Sequence, residues 1–98
     1  MFVTIWEFRV KPGREPEFER VYRSEGEWAQ LFRRGEGFIR TELFTDIEIE
    51  GRYITIDHWT SEELYDSFRR QNEDDYAALD LRCEALTQSE KHLGSFLS

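Results

Sequence analysis

Cysteine, positive charge and long apolar runs are all scarce in this chain of 98 residues. Cys83 is the single cysteine, so no intramolecular disulfide can form and a reducing compartment is the expected setting. Its place in an apolar helical stripe reads as a core thiol rather than a nucleophile. Lys and Arg number 13 against 21 Asp and Glu, a formal net charge of −8. That balance removes the electrostatic term on which nucleic-acid binding rests and repels anionic membranes. The basic pairs Arg33-Arg34 and Arg69-Arg70 fall where helix C-termini are expected, where they complement the helix dipole. No apolar run approaches the roughly 20 residues of a membrane-spanning helix. No basic region precedes the first apolar residues, and Glu7 ends them early, so a signal peptide is not expected and a cytoplasmic location is.

Motifs that announce other chemistries are also missing. There is no phosphate-binding loop, no dinucleotide fingerprint and no serine nucleophile elbow. Without a cysteine pair or a His-x-x-His spacing, no metal site is expected. The acidic runs Glu48-x-Glu50 and Glu73-Asp74-Asp75 read as a solvated turn and a helix N-terminus.

Hydrophobic residues make up 39% of the chain and aromatics 15%, a composition that folds. The length suits a single domain over residues 1–98, with a modest core that burial against a partner would enlarge. Residues 2–10, FVTIWEFRV, are β-branched and aromatic and predict a strand. The segment KPGREP breaks it, and Pro16 suits a first helical turn. Phe18, Val21, Tyr22, Trp28, Leu31 and Phe32 then recur at helical spacing toward a stop at Gly35. Strands are expected at 37–45 and 52–59, joined as a hairpin across an acidic turn. Thr60 and Glu63 have capping-box spacing before an apolar face of Leu64, Tyr65 and Phe68. Asn72 reads as the N-cap of a further helix carrying Tyr76, Leu79, Cys83 and Leu86. KHLGSFLS, 91–98, would close the sheet. The order is β-α-β-β-α-(α)-β, an α+β ferredoxin-like split βαβ fold with a four-stranded antiparallel sheet in strand order 4-1-3-2.

Both faces of these strands are apolar. Phe2, Trp6 and Phe8 oppose Val3 and Ile5; Phe38 and Phe44 oppose Ile39 and Leu43; Ile54 and Ile56 oppose Tyr53 and Trp59. Helices in this topology cover one face only, so a second copy of the sheet is expected on the other, giving a homodimer.

Three stretches, FVTIWEFRVKPGREPEFERVY, YITIDHWTSEELYDSF and YAALDLRCEALTQSEKHLGSF, make the chain resemble the dimeric α/β-barrel superfamily and its antibiotic-biosynthesis-monooxygenase-like branch. The resemblance spans nearly the whole length. It implies two ferredoxin-like subunits joined into a barrel, with a pocket between sheet and helices in each. Its characterised relatives include monooxygenases that oxidise phenols to quinones without a cofactor, and haem-degrading enzymes. The latter rely on an Asn, a His and a Trp, where this chain has the strand segment WEF, Ala78 and Phe68.

The expected function is therefore cofactor-independent oxygenation of a small aromatic or quinone-type compound, with no cofactor required. The alternative is a non-catalytic binding or sensing homodimer on the same fold. Such chemistry needs an apolar cavity, a base and hydrogen-bond donors. Candidate ligand contacts are Trp6, Phe8, Trp28, Phe32, Tyr65, Phe68 and His92, with Tyr22 and Tyr76 as donors; each aromatic is equally an ordinary core residue. In Asp57-His58-Trp59, alternation separates His58, with Ile54 and Ile56, from Asp57 and Trp59, with Tyr53. If the His58 face looks toward the helices, its imidazole is the candidate base. Trp59 would then pack at the subunit interface or barrel rim, with Asp57 beside Arg40 or Arg52. His58 and His92 are expected at the same end of the sheet.

Overall fold

The computed structural model describes residues 1–98. Strand β1 (Phe2–Val10) leads into helices α1 (Glu15–Tyr22) and α2 (Glu27–Phe32), and β2 (Phe38–Thr45) and β3 (Arg52–Trp59) follow. Helices α3 (Glu62–Gln71) and α4 (Glu73–Cys83) and a 3-10 turn at Glu84–Leu86 lead to β4 (Thr87–Leu97). The four strands form one antiparallel sheet in the order β2-β3-β1-β4, the expected ferredoxin-like topology.

Where the sequence predicts one helix as far as Gly35, the structure has two. The chain turns at Gly26, whose amide donates to the Arg23 carbonyl at 2.8 Å. A Cβ on Gly26 would lie 2.3 Å from the Val21 carbonyl oxygen, so only glycine permits this turn. The break lets Tyr22 and Trp28, six positions apart and out of phase on a single helix, both face the core.

Other boundaries shift by a few residues. The N-cap of α3 is Ser61, whose hydroxyl accepts from the Leu64 amide at 3.2 Å, rather than Thr60. Asn72 is the N-cap residue of α4 as expected, but its side chain makes no capping bond and instead donates back to the Phe68 carbonyl at 3.0 Å. Strand β4 begins at Thr87, four residues before the expected start, because the helical stripe ends in the 3-10 turn at Leu86.

All helices lie on one face of the sheet. There Phe2, Phe8, Val10, Tyr53 and Trp59 meet Phe18, Val21, Tyr22, Trp28, Leu31, Phe32, Phe68, Leu79 and Cys83 in one buried cluster. Trp59 is fully buried at its centre, 5.2 Å from the Phe68 ring and 5.9 Å from Phe32. This corrects its expected place at an interface or rim. The opposite sheet face is uncovered and carries Val3, Ile5, Ile54 and Ile56, with Phe44 and Phe96 exposed at its edges.

Candidate functional site

Between the sheet and the helices lies a cavity of about 170 Å³. Strands supply its floor: Trp6 and Phe8 from β1, Thr41 from β2, Thr55 and Asp57 from β3 and Glu90 from β4. Helices supply the walls: Tyr22 from α1, Trp28 and Phe32 from α2, Arg69 from α3, and Tyr76 and Asp80 from α4. The rings pack against one another, Phe8 on Tyr22 at 4.9 Å and Trp28 edge-on to Tyr76 at 4.9 Å. Such offset and edge-to-face contacts make a rigid apolar wall.

Alternation along β3 decides which polar group enters this cavity. Tyr53, Thr55, Asp57 and Trp59 all turn toward the helices, so Ile54, Ile56 and His58 turn away. Asp57 is 8% exposed and pairs in register with Thr41, whose hydroxyl donates to its carboxylate. A bulge between Phe38 and Arg40 shifts β2 and sets that register. Burial pushes the Asp57 carboxyl up from 3.8 to about 6, with the Thr41 bond pulling partly back. Neither expected arginine reaches it. Arg52 donates to Glu7 at 2.7 Å and to Asp46 at 2.9 Å, and Arg40 lies 3.8 Å from Glu42.

Donors surround the cavity. The Trp28 indole N–H is buried and has no partner. Burial first, then Cys83 and the Glu90 charge, hold the Tyr22 hydroxyl well above its ordinary value. Burial also raises Tyr76, with Asp80 and Asp57 adding to the rise and Arg69 opposing it. Both tyrosines are therefore neutral donors at ordinary pH. The Arg69 guanidinium stacks 3.8 Å from the Tyr76 ring centroid and donates to the Tyr65 hydroxyl at 3.0 Å. No group of three or more His, Cys, Asp or Glu side chains is placed to hold a metal ion.

The structure therefore brings Trp6, Phe8, Tyr22, Trp28, Phe32 and Tyr76 to one cavity. Tyr65 and Phe68 instead pack against Trp59 in the adjoining core. His92 stacks on Trp6 at 4.9 Å beside the cavity, its Nε2 3.0 Å from the Thr4 hydroxyl and 3.1 Å from Ser95. His58 lies on the opposite sheet face, with Nε2 2.6 Å from the Glu42 carboxylate. It therefore cannot serve as a base in this cavity. The two histidines are separated as well, His58 lying level with Val3 and His92 with Trp6.

Sequence reasoning missed Thr41, Thr55, Asp57, Arg69, Asp80 and Glu90. A signal for Asp57 existed: it shares its face with Tyr53 and Trp59, and two large aromatics mark a core face better than two isoleucines. Asp80 stands one helical turn after Tyr76, on the same side of α4. Glu90 was hidden by the late expected start of β4.

A family model described as antibiotic biosynthesis monooxygenase matches residues 1–77. No curated protein matches the chain. Among solved structures, SnoaB of Streptomyces nogalater, a cofactor-independent oxygenase, has 27% identity and a TM-score of 0.75, over 99% of this chain and 91% of that one. A point mutant of SnoaB covers the same shares with a TM-score of 0.77. A NIPSNAP family protein of Agrobacterium tumefaciens shares the fold at 21% identity and a TM-score of 0.70, over 98% of this chain and 90% of that one.

Proposed function

The chain belongs to the antibiotic biosynthesis monooxygenase family, and on that premise we propose that it oxygenates a small phenolic ring in the cavity without a cofactor. The observation that carries this reading is Asp57, a buried carboxylate in an aromatic enclosure with a single hydroxyl donor and no cationic partner. An ionised carboxylate so placed is held above its ordinary pKa and is ready to accept a phenolic proton. The size agrees, since a cavity of about 150 Å³ admits benzene.

The chemistry then follows from the residues. Asp57 takes the phenol O–H proton and leaves an electron-rich phenolate. Dioxygen accepts electrons from that anion and bonds to the ring carbon para to the oxygen. The ring C–H proton and the proton on Asp57 then leave with the second oxygen atom as water, and a quinone remains. The substrate supplies all four electrons, so no external reductant enters. Trp28 N–H, the Tyr22 and Tyr76 hydroxyls and Arg69 stabilise the negative charge that moves from phenolate to oxygen.

A homodimer is part of the same reading. Val3, Ile5, Ile54 and Ile56, with Phe44 and Phe96, make an apolar face that a second sheet would cover.

Oxygen uptake with 1-naphthol in a metal chelator, with the product identified by mass spectrometry, tests the activity. Formation of 1,4-naphthoquinone that depends on Asp57 supports it. Absence of uptake above the protein-free control across a panel of electron-rich phenols would overturn it.

A further inference from the structure

The cavity carries three carboxylates, Asp57, Asp80 and Glu90, against one guanidinium, Arg69. None of the three carboxylates lies within ion-pair distance of a basic side chain, and only Asp57 has a side-chain hydrogen-bond partner. Asp57 is committed to the floor, beneath the reacting oxygen. Asp80 projects from α4 and Glu90 from β4, so they form a second acidic locus, built from elements other than the one holding the base. The cavity's one cation, Arg69, is already occupied by the Tyr76 ring and the Tyr65 hydroxyl.

We propose that the ring bound here carries an ammonium group, seated between the Asp80 and Glu90 carboxylates and against the aromatic wall. This rests on the phenol oxygenase reading and names the class of its substrate. Aromatic faces attract cations through the ring quadrupole, and the half-buried Asp80 and exposed Glu90 carboxylates add a direct attraction that salt screens. A carboxylate-bearing phenol of the same size would meet the Asp80 and Glu90 charges at the same locus, which Arg69 offsets only from beyond ion-pair distance. Partial burial, with the Asp80 and Glu84 charges adding, pushes the exposed Glu90 carboxyl up, a repulsion that a cation seated between Asp80 and Glu90 would relieve. Along β1, Asp57 lies level with Thr4 and Glu90 with Phe8, so the base and the acidic locus stand at different ends of the cavity floor, and the buried, unpartnered Trp28 indole N–H lines the same cavity. The cavity therefore presents groups to a molecule with an oxygen at one end and a cation at the other.

Three phenols with a free para position and equal chain length separate the cases: 3-(2-aminoethyl)phenol, 3-(2-hydroxyethyl)phenol and 3-hydroxyphenylacetate. Isothermal titration calorimetry on the intact protein should rank them amine, alcohol, acid. The amine should bind about tenfold or more tighter than the alcohol. In the Asp80→Asn/Glu90→Gln double variant that ratio should fall to about one. Raising the salt concentration should weaken the amine and leave the alcohol largely unaffected. Equal affinities for amine and alcohol overturn the proposal. So does tightest binding of the acid, which would mean that Arg69 dominates recognition. No binding of any of the three overturns the proposal, and uptake with 1-naphthol then decides the oxygenase reading separately. Oxygen uptake with the same compounds tells the two apart. An amine preference with no uptake for these compounds or the wider phenol panel keeps the ligand class and ends the oxygenase reading, whereas turnover without preference does the reverse.

Discussion

The Thr41 hydroxyl and the Asp57 carboxylate meet between neighbouring strands, in register, on the floor of an aromatic cavity. This contact partly offsets the desolvation of a carboxylate that has no cationic partner. It leaves Asp57 able to be charged near neutrality and able to accept a proton, which an arginine ion pair would have prevented by lowering its pKa.

The first prediction joins activity to stability. Asp57 has a folded-state pKa of about 6 against an ordinary value of 3.8. Its contribution to stability is therefore fullest below the unfolded value and is lost as pH rises through about 6. Above that pH, holding the charge costs on the order of 2–3 kcal/mol. Asp57→Asn should abolish oxygenation and raise stability at pH 7 to 8, with the gain fading by pH 4. Urea titrations across that range check it; a variant equally destabilised at every pH would contradict it.

The second concerns the Thr41 bond alone. For the wild type, kcat/KM should fall on the acid side with an apparent pKa near 6, where the base becomes protonated. Thr41→Val removes the donor and should move that limb upward by about one unit. A rate loss with an unmoved limb would make Thr41 a packing residue only.

The uncovered sheet face yields a third. Phe44 and Phe96 are 48% and 53% exposed at its two edges. Phe44→Glu together with Phe96→Glu should convert a dimer into a monomer in sedimentation velocity, with the helix-side core intact by circular dichroism. A wild type that sediments as a monomer would remove the dimer from the reading.

A fourth tests packing above the core. A Cβ at Gly35 would lie 2.9 Å from both Phe68 Cβ and Trp59 Cζ3, and both partners are essentially fully buried. Neither can give way, so Gly35→Ala should cost about 1–3 kcal/mol, measurable as a lower midpoint of thermal unfolding. An unchanged midpoint would show that the α2–β2 connection absorbs the methyl group.

Strand alternation, helical spacing and turn residues in the sequence determined the run of strands and helices and the two apolar sheet faces, because these follow from local periodicity, and the strand order followed from the split βαβ topology that such a run specifies. The six cavity aromatics were also legible, as large residues on faces that had to be buried. Local periodicity alone does not fix which face of β3 the helices cover, since both faces are apolar and only the larger Tyr53 and Trp59 rings favour one of them. Only the tertiary structure decided that, by packing Tyr53 and Trp59 under the helices and thereby carrying Asp57, rather than His58, into the cavity. The partners of Asp57 were equally out of reach, because Thr41 meets it through a bulge and a cross-strand register. Asp80 and Glu90 line one cavity only because α4 packs over the sheet that β4 completes. Faces and order belong to short-range pattern; the chemistry of the site belongs to contacts between residues far apart in the chain.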